Sequence, residues 1–463
     1  MKGLTRRKFL AGSVVAAMYG CTTSQSTATR GAHKGDSPSL PWRNWSGSVV
    51  SYPKGRLSPS SESQLARYLS SSTGPLRPVG SGHSFTPLVP TDGHIVVIDQ
   101  LTGMLSHDPK KLTATFAAGT RLADMGPMLS SIGQGMLNLP DIDRQTLAGA
   151  TATATHGTGI EFKSLSGYIT HLRLITPSGK LLDLDAGTAP DIFNAARVSV
   201  GSLGIVSQIT LQNRKAFRLK QRSWVEKTEE VLSAFDEHAS KHRHFEILPL
   251  THSDYSIVLA TDETEEAINN PPTTPEEDAA FGDAMRGWMQ LSPGERRPHI
   301  NGLAEMIQPS ERVDESYNIL SNVRANRFNE MEYSIPLASG AECLQEILRT
   351  IADRKVDVVF PLEYRYVSRD DTMLSMSSGH EDHVALSVHR VASEDYRPYF
   401  DLIEPIFWKY GGRPHWGKIH TLGADQLVEL YPDFKRFQAI REELDPTGRM
   451  LNKHLTKLFV ESK

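Results

Sequence analysis

A histidine lies inside the glycine-containing segment VGSGHS, residues 79–84. Gly80 and Gly82 supply half of the G-x-G-x-x-G pattern of dinucleotide-binding loops. Phe85 takes the place of the third glycine, and two prolines soon after it forbid the helix that should follow. The segment is therefore not a Rossmann loop. It predicts a tight turn after a short strand, with the imidazole of His83 in its middle.

Two further segments share this character: LAGATATATHGTG at 147–159 and VGSLGIV at 200–206. Glycine allows backbone N–H groups to approach a ligand closely. The threonines of the middle segment can bond phosphate or ribose oxygens. Each segment alone could be an ordinary turn, but three together favour a site for a long ligand with a pyrophosphate.

A carboxylate and a guanidinium alternate in LEYRYV, where a strand period of two places Glu363 and Arg365 on one face. Such a pair can bond neighbouring hydroxyls of a ligand, accepting from one and donating to the next. The alternative is a surface ion pair that contributes little. The residues by themselves favour that alternative.

Histidine-rich patches raise the possibility of a metal site. They contain His242 and His244 in HRHF, and His380 and His383 in HEDH. Neither patch has HExxH spacing or a cysteine partner. We interpret both as solvated polar segments and predict no metal.

The elements that position these residues fall into two α+β regions. In the first, HIVVIDQL, TATFAAG, LRLITPSGKLLDLD and GIVSQITLQ are typical of strands, and RLADMGPMLSSIG and PDIFNAARV of helices. The regular βαβ rhythm of a doubly wound sheet is missing. From Arg218 onward, the helices EEVLSAFDEHASKH and GAECLQEILRTIADR accompany the strands DVVFPLEYRYV and HVALSVHRV, and 262–315 is expected to be largely an exposed loop before a helix.

Composition restricts the class of partner. The 463 residues are 39% hydrophobic and 22% charged, with a formal net charge of -4. This is an ordinary globular balance without a basic stripe, so nucleic acid is not an expected partner.

The amino terminus predicts export. In TRRKFLAGSVVAAMYGC, two arginines precede an apolar run that is shorter than the roughly 20 residues of a membrane span. Residues 1–21 resemble a twin-arginine signal peptide, which exports folded, often cofactor-loaded proteins. Cys21 lies where lipoproteins are acylated, although Met18 and Tyr19 depart from the usual box. Residues 22–41 are typical of a flexible tether.

Taken in order along the chain, several segments resemble one enzyme group. They are RPVGSGHSFTPL, NLPDIDRQTLAGATATATHGTG, GSLGIVSQITL, HFEILPLTHSD, LEYRYV, RPHWGKIH and LDPTGRMLNKHL. The chain thereby resembles the sugar-1,4-lactone oxidase and alditol oxidase group, D-arabinono-1,4-lactone oxidase-like, of the vanillyl-alcohol-oxidase-type FAD flavoproteins. The resemblance implies an α+β fold, with a two-subdomain FAD-binding (PCMH-type) domain at 42–217, an α+β substrate-cap domain at 218–420 and a segment at 421–463 that returns to the FAD domain.

The resemblance also implies FAD as cofactor, attached covalently through His83. A neutral imidazole nitrogen is a competent nucleophile near neutral pH, which fits that role. The other residues expected to hold FAD are Gly80, Ser81, Gly82, Ser84, Thr153, His156, Gly157, Gly159, Gly204, Ile205, Val206 and Asn452. His156 could instead be structural, packed beneath its loop.

On the substrate side, the resemblance reverses the interpretation of Glu363 and Arg365, which are now expected to bind a sugar lactone or polyol. Removing a hydride from carbon also requires the hydroxyl proton to leave, so a base is needed. His389 and Lys418 are the candidates for it. A lysine desolvated beside Arg365 would either accept the proton at a lowered pKa or stay charged and stabilise the developing alkoxide.

The predicted activity is oxidation of a CH–OH group of a sugar-1,4-lactone by O2, which gives H2O2. The alternatives within the fold are an alditol oxidase and a dehydrogenase that uses a quinone or cytochrome. Arg390 and Val391, in place of the aromatic and hydroxyl residues typical of alditol oxidases, put alditol specificity in doubt. The alternative from another class is a non-catalytic exported sugar-binding lipoprotein.

Overall fold

The computed structural model describes residues 40–271, 287–322 and 327–460. The predicted signal peptide, Cys21 and nearly all of the predicted tether lie outside the described residues. Within those ranges, no helix combines the length and the apolar composition that a bilayer span needs.

The amino-terminal region, residues 42–217, contains three sheets. Its strands are Trp42–Arg43 (β1), Val50–Ser51 (β2), Gly55–Leu57 (β3), Leu76–Val79 (β4), His94–Val97 (β5), Met104–Asp108 (β6), Thr113–Ala117 (β7), Gln134–Met136 (β8), Ile169–Ile175 (β9), Leu181–Asp185 (β10) and Ile205–Lys215 (β11). Its helices are Glu62–Ser71 (α1), Leu122–Ser131 (α2), Leu147–Ala152 (α3) and Pro190–Arg197 (α4).

The sheets of this region differ in pairing. β1 and β2 form an antiparallel pair, and β3-β5-β4 is a parallel sheet covered by α1, whose Leu65 and Leu69 pack against Leu76 and Val96. The larger sheet has the order β10-β9-β11-β7-β6 with antiparallel pairing, and β8 pairs with the end of β11. Alternate residues of β11 from Ile205 to Asn213 are buried, as its period-two sequence predicts.

The cap region, residues 218–420, is built on one antiparallel sheet. Its strands are Arg218–Lys227 (β12), His244–Pro249 (β13), Tyr255–Thr264 (β14), Ser310–Glu315 (β15), Phe328–Pro336 (β16), Glu363–Val367 (β17), His383–Val391 (β18) and Arg413–Pro414 (β19). They are arranged in the order β15-β12-β14-β13-β17-β18-β16-β19. Its helices are Thr228–Ser233 (α5), Phe235–Lys241 (α6), Pro293–Ala304 (α7), Ser316–Leu320 (α8), Gly340–Asp353 (α9) and Arg397–Lys409 (α10).

Three details of the cap region differ from expectation. The single helix predicted around residue 235 is two, separated at Ala234, and Phe235 packs against Tyr364 and Tyr366. β17 begins only at Glu363, two residues after Pro361, whose nitrogen has no hydrogen to donate to a ladder. The stretch expected to be an exposed loop includes the edge strand β15, which pairs with β12.

The carboxy-terminal segment packs against the amino-terminal region. It contains Ala424–Leu430 (α11), Phe434–Leu444 (α12) and Lys453–Phe459 (α13). The Leu76 N–H donates to the Arg449 carbonyl at 2.9 Å, and the buried Arg77 guanidinium donates to the Met450 carbonyl. Arg449 and Met450 thus lie beside β4, the strand that precedes the loop of His83.

Candidate active site

A large cavity of about 1180 Å³, measured to its open mouth, lies in the amino-terminal region. The three glycine-containing segments all line it, together with the turn HWGK of the cap region. The predicted residues on its wall are Gly80, Ser81, Gly82, His83, Ser84, Thr153, Gly204, Ile205 and Val206. Segments more than a hundred residues apart therefore form one wall, as a long ligand requires.

Glycine is required by close packing at two points of this wall. A Cβ at Gly80 would lie 2.1 Å from Oγ1 of Thr146, the residue that caps α3. Gly204 has φ +147°, and a Cβ there would lie 2.5 Å from the Ile175 carbonyl oxygen. Only glycine therefore allows the backbone of this wall to pack so closely against its neighbours at these two points.

His83 lies in this cavity as a neutral imidazole. Burial, helped by the positive charges of Lys418 and Arg121, lowers the pKa of His83 to about 4. The ring nitrogens are therefore not both protonated near neutral pH, and one of them keeps its lone pair.

Four of the predicted cofactor residues do not line this cavity. His156 lines a second cavity instead, where its Nε2 lies 2.9 Å from Glu332 and its Nδ1 lies 2.9 Å from the Gly157 carbonyl. Gly157 packs against Asn138 and Leu139, and the Gly159 N–H donates to the Tyr366 carbonyl at 3.0 Å. These three residues do not line the first cavity, because the chain turns toward the cap region after Thr155.

Asn452 is the fourth predicted cofactor residue that does not line the first cavity. It contacts the segment that follows His83. Its side-chain oxygen caps α13 by accepting from the Leu455 N–H at 2.9 Å. Its Nδ2 donates to the carbonyls of Pro87 at 2.9 Å and Pro90 at 2.8 Å. Asn452 therefore holds the loop that follows His83 and does not reach the cavity.

The second cavity, about 810 Å³, adjoins the first and shares His415 and Lys418 with it. All four predicted catalytic residues line it: Glu363, Arg365, His389 and Lys418. The structure thus brings together residues from β17, β18 and the HWGK turn at the edge of the first cavity.

Glu363 and Arg365 form a buried pair. Arg365 Nη2 lies 3.1 Å from Glu363 Oε2, and Arg365 Nε donates to Glu246 Oε2 at 2.6 Å. Arg365 is only 9% exposed, which rules out the surface ion pair. Burial alone would lower the pKa of Arg365, but the two carboxylates outweigh it and hold that pKa well above its usual range. Arg365 is a fixed cation on this wall.

Lys418 is held by an acid that sequence reasoning missed. Its Nζ pairs with Oε2 of Glu330, which is 3% exposed. Burial by itself lowers the pKa of Lys418, yet the charges of Glu330 and Glu332 raise it above the ordinary value. Of the two roles left open for Lys418, the raised pKa favours the one in which the lysine stays charged.

Glu330 also faces His389. The two are register partners on β16 and β18, and His389 Nε2 lies 3.6 Å from Glu330 Oε1. Burial lowers the pKa of His389, but Glu330 raises it above the ordinary value. Nδ1 of His389 has no hydrogen-bond partner among the residues that the structure describes.

Glu332 is the second acid that the sequence analysis missed. It is two residues along the same face of β16, with Ser387 Oγ donating to its Oε2 at 2.9 Å. The signal was present in NEMEYS, where two glutamates alternate within an otherwise buried strand. Such glutamates are rarely buried unless paired.

These acids and histidines form two clusters with metal-ligand atoms within 4.8 Å of each other: His156, Glu332 and His415, and Glu330, Glu363 and His389. In the first cluster, His415 Nδ1 accepts from the Gly417 N–H at 3.0 Å. A neutral His415 then carries its hydrogen on Nε2, which is not a ligand in that form. The histidines of the sequence patches lie outside both clusters: His242 pairs with Asp262 and His244 bonds the Thr158 carbonyl. His244 and His383 are buried, so the expectation of solvated segments is wrong for these two residues.

Arg390, which put alditol specificity in doubt, does not line either cavity. It is on the opposite face of β18 from His389 and pairs with Glu394 at 2.7 Å. Val391 does not line either cavity, so neither of the two residues contacts a ligand there directly.

Two protein-family models match the chain: D-arabinono-1,4-lactone oxidase over residues 209–458 and an FAD binding domain over residues 53–185. Over 429 residues the chain is 36% identical to L-gulono-1,4-lactone dehydrogenase of Mycobacterium tuberculosis, covering 90% of this chain and 99% of that protein. It is 29% identical to L-gulonolactone oxidase of Bos taurus and 27% identical to an alditol oxidase of Streptomyces, each covering 90% of this chain and 98% of the relative.

Among solved structures, cholesterol oxidase from B. sterolicum is similar with a TM-score of 0.72 at 16% identity, over 90% of this chain and 96% of that chain. A solvent-stable cholesterol oxidase gives a TM-score of 0.74 at 17% identity, over 90% and 97%. At such identities the likeness concerns the fold. It confirms the predicted α+β architecture, and the family match over residues 53–185 confirms the FAD-binding domain.

The first cavity fits the FAD that these comparisons imply. Ser81 Oγ on its wall is buried and has no hydrogen-bond partner in the described part of the chain, so a ligand oxygen can satisfy it. Gly80, on the same wall, lets the loop pack closely against Thr146 at the start of α3. Lys418, at the junction of the two cavities, places a positive charge where a dinucleotide in the first would meet a ligand in the second.

Proposed function

Because the chain belongs to the D-arabinono-1,4-lactone oxidase family, whose relatives are FAD-dependent oxidoreductases, we propose that it oxidises a CH–OH group of a sugar-1,4-lactone. The proposed acceptor is O2, with H2O2 as product. One observation carries the proposal: Glu363, Arg365, His389 and Lys418 line a cavity that adjoins the proposed cofactor cavity.

The cofactor would be held by the glycine segments of the first cavity, with Ser81 and Thr153 as side-chain donors. When bound, FAD supplies a two-electron acceptor that takes a hydride from carbon. We further propose that FAD is attached through His83, which faces this cavity as a neutral imidazole. A neutral nitrogen has the lone pair that bond formation needs.

In the second cavity, Arg365 would donate to substrate oxygens and Glu363 would accept from an adjacent hydroxyl. Glu246 keeps the guanidinium in place from the far side through its bond to Arg365 Nε. This arrangement orients the substrate, and orientation is a large part of such catalysis.

Different residues accept the substrate's hydroxyl proton and stabilise the negative charge that its loss leaves on oxygen. With Nε2 of His389 directed at Glu330, its Nδ1 is free to take the hydroxyl proton. The charged Lys418 would stabilise the developing alkoxide. Phe328 and Phe360 pack against the His389 ring and limit access of water to it.

The acceptor has a second candidate, since the relative of 36% identity is a dehydrogenase. A dehydrogenase of this fold would pass electrons to a quinone or cytochrome. The substrate also has a second candidate, an alditol, because an alditol oxidase is among the relatives. A non-catalytic sugar-binding lipoprotein would show no turnover in either case.

One screen separates these functions. Purified protein is offered a panel of aldonolactones and alditols, with H2O2 detection and with a dye acceptor under parallel conditions. The proposal predicts peroxide with a 1,4-lactone. Turnover with dye but without peroxide supports the dehydrogenase, and no turnover with either acceptor contradicts the proposal.

Export is a separate proposal that rests on the sequence. Arg6, Arg7 and Cys21 support passage through the twin-arginine route with optional acylation at Cys21. Replacing both arginines by lysine should leave the protein in the cytoplasm. Replacing Cys21 by Ser should release any membrane-bound fraction.

A further inference from the structure

The turn that joins β1 to β2 lies directly against the loop of His83. The backbone N–H of Trp45 donates to the Gly82 carbonyl at 2.7 Å, and Nδ2 of Asn44 donates to the Ser84 carbonyl at 3.0 Å. The carbonyls on both sides of His83 are therefore held from one place in the chain.

Asn44 is itself fixed. It is 3% exposed, its Oδ1 accepts from the Val49 N–H at 2.9 Å, and its Nδ2 also contacts Ser46 Oγ at 3.1 Å. A buried amide with these partners gives the turn one conformation. The turn can thus fix the backbone of the loop at Gly82 and Ser84.

The Trp45 ring covers the His83 ring. Their centroids are 5.2 Å apart with an interplanar angle of 25°, and Trp45 meets Phe85 and Phe328 edge-on at 6.2 Å and 5.1 Å. Across the described ranges, no hydrogen bond holds either ring nitrogen of His83. Stacking against Trp45 is therefore what restrains the plane of this imidazole.

The loop is clamped from the opposite side as well. The Phe85 N–H donates to the Gly417 carbonyl at 2.7 Å, and Thr86 Oγ1 donates to the Trp416 carbonyl at 2.9 Å. These contacts fix the backbone after His83 but do not touch its ring. Orientation of the ring is left to Trp45.

We propose that Asn44 and Trp45 are positioning residues for the bond between His83 and FAD. This inference rests on the covalent attachment proposed above. In that reaction an imidazole N–H bond and one C–H bond at the 8α carbon break, and an N–C bond forms. The two electrons left on the ring system and the two protons then pass to O2 as H2O2. An attacking nitrogen held in one orientation reacts faster than one that samples several.

The readout is the covalent fraction, meaning flavin retained by acid-denatured protein divided by total flavin in the native protein. Trp45→Leu should lower this fraction at least fivefold while the native protein still binds FAD. Trp45→Phe, which keeps an aromatic face, should restore most of it. His83→Ala sets the zero of the scale.

Trp224→Leu is the matched control, since Trp224 is a partly buried tryptophan of β12 that lines neither cavity. It should keep the covalent fraction of the wild type. Asn44→Asp gives a second, milder test. It keeps the acceptor for Val49 but loses the donor to Ser84, and it should also lower the fraction.

The outcomes distinguish the positioning role of Asn44 and Trp45 from the covalent attachment of FAD on which it rests. Equal covalent fractions in the wild type, Trp45→Leu and Asn44→Asp would overturn the positioning role. If Trp45→Leu does not fold, Asn44→Asp decides alone by the same criterion. A wild type that releases all its FAD on denaturation would overturn the covalent attachment itself, and this inference with it, whatever the variants do.

Discussion

Lys418 is a partly buried cation at the junction of the two cavities. It stays charged because Glu330 and Glu332 offset the cost of burial, so its role is to stabilise negative charge. We expect Lys418→Met to lower kcat by about 10²-fold, the usual loss when one such group is removed. Steady-state kinetics with flavin content measured in parallel checks this.

Lys418→Arg is the control for Lys418→Met, because it keeps the positive charge that Glu330 faces. It should retain more activity than the methionine variant. Full activity in Lys418→Met with normal flavin content would remove Lys418 from the mechanism.

Glu330 links Lys418 to His389, and its effect on His389 has a definite sign. Glu330 raises the pKa of His389, and a base must be unprotonated to accept a proton. The rate in wild type should therefore rise with pH through this raised pKa. In Glu330→Gln the rise should move to lower pH, and the maximal rate should fall. The pH profile of kcat/KM measures both.

Glu394→Gln serves as the control for Glu330→Gln, since Glu394 pairs with Arg390 away from both cavities. Its profile should match the wild type. A profile of Glu330→Gln that does not move, or that moves to higher pH, contradicts the assignment of His389 as base.

At the scale of elements, the contact between the first glycine loop and the start of α3 shapes the cofactor cavity. A Cβ at Gly80 would collide with Oγ1 of Thr146. We expect Gly80→Ala to lose most of its bound flavin, as judged by absorbance of the purified protein. Adding Thr146→Ala removes the colliding oxygen and should restore part of it, despite the loss of a helix cap of about 1 kcal/mol.

Gly74→Ala is matched to Gly80→Ala, because nothing lies within 4 Å of the added carbon at Gly74. It should keep a normal flavin content. Equal flavin in Gly74→Ala and Gly80→Ala would show that the close approach does not control binding.

The elements also show what sequence can and cannot predict. The period of two in LEYRYV placed Glu363 and Arg365 on one face, and the glycine segments indicated one long ligand. Glu246 and Glu330 were not found, since their importance depends on pairings of β13 with β17 and β16 with β18 across the cap sheet. The same reason explains why sequence did not show that Gly157 and Gly159 lie away from the first cavity: the direction of the chain after Thr155 is set by contacts with the cap.

For the whole molecule, buried histidines predict how stability depends on pH. Burial lowers the pKa to about 3 or 4 in a set that lies outside both cavities: His244, His383, His420 and His454. Their unfolded pKa is about 6.5, so unfolding takes up protons below that pH. The stabilisation is complete above pH about 6.5 and is lost as pH falls toward the folded values.

Each of these histidines can remove up to about 1.4 kcal/mol of unfolding free energy per pH unit below 6.5. Thermal unfolding between neutral pH and about pH 5 should show Tm falling steeply. His420→Asn, at a histidine whose two ring nitrogens lack partners within the described residues, should flatten that slope. A Tm that is constant over this range would contradict the assignment.

The central claim is that one cavity holds FAD and its neighbour presents a sugar lactone to it. The most direct test is to mix purified, flavin-loaded protein with aldono-1,4-lactones without oxygen and follow the blue absorbance of the flavin. The account predicts loss of colour with a lactone, slower loss in Arg365→Met, and return of colour with H2O2 when air is admitted. A flavin that stays oxidised with every lactone and alditol offered would contradict the account.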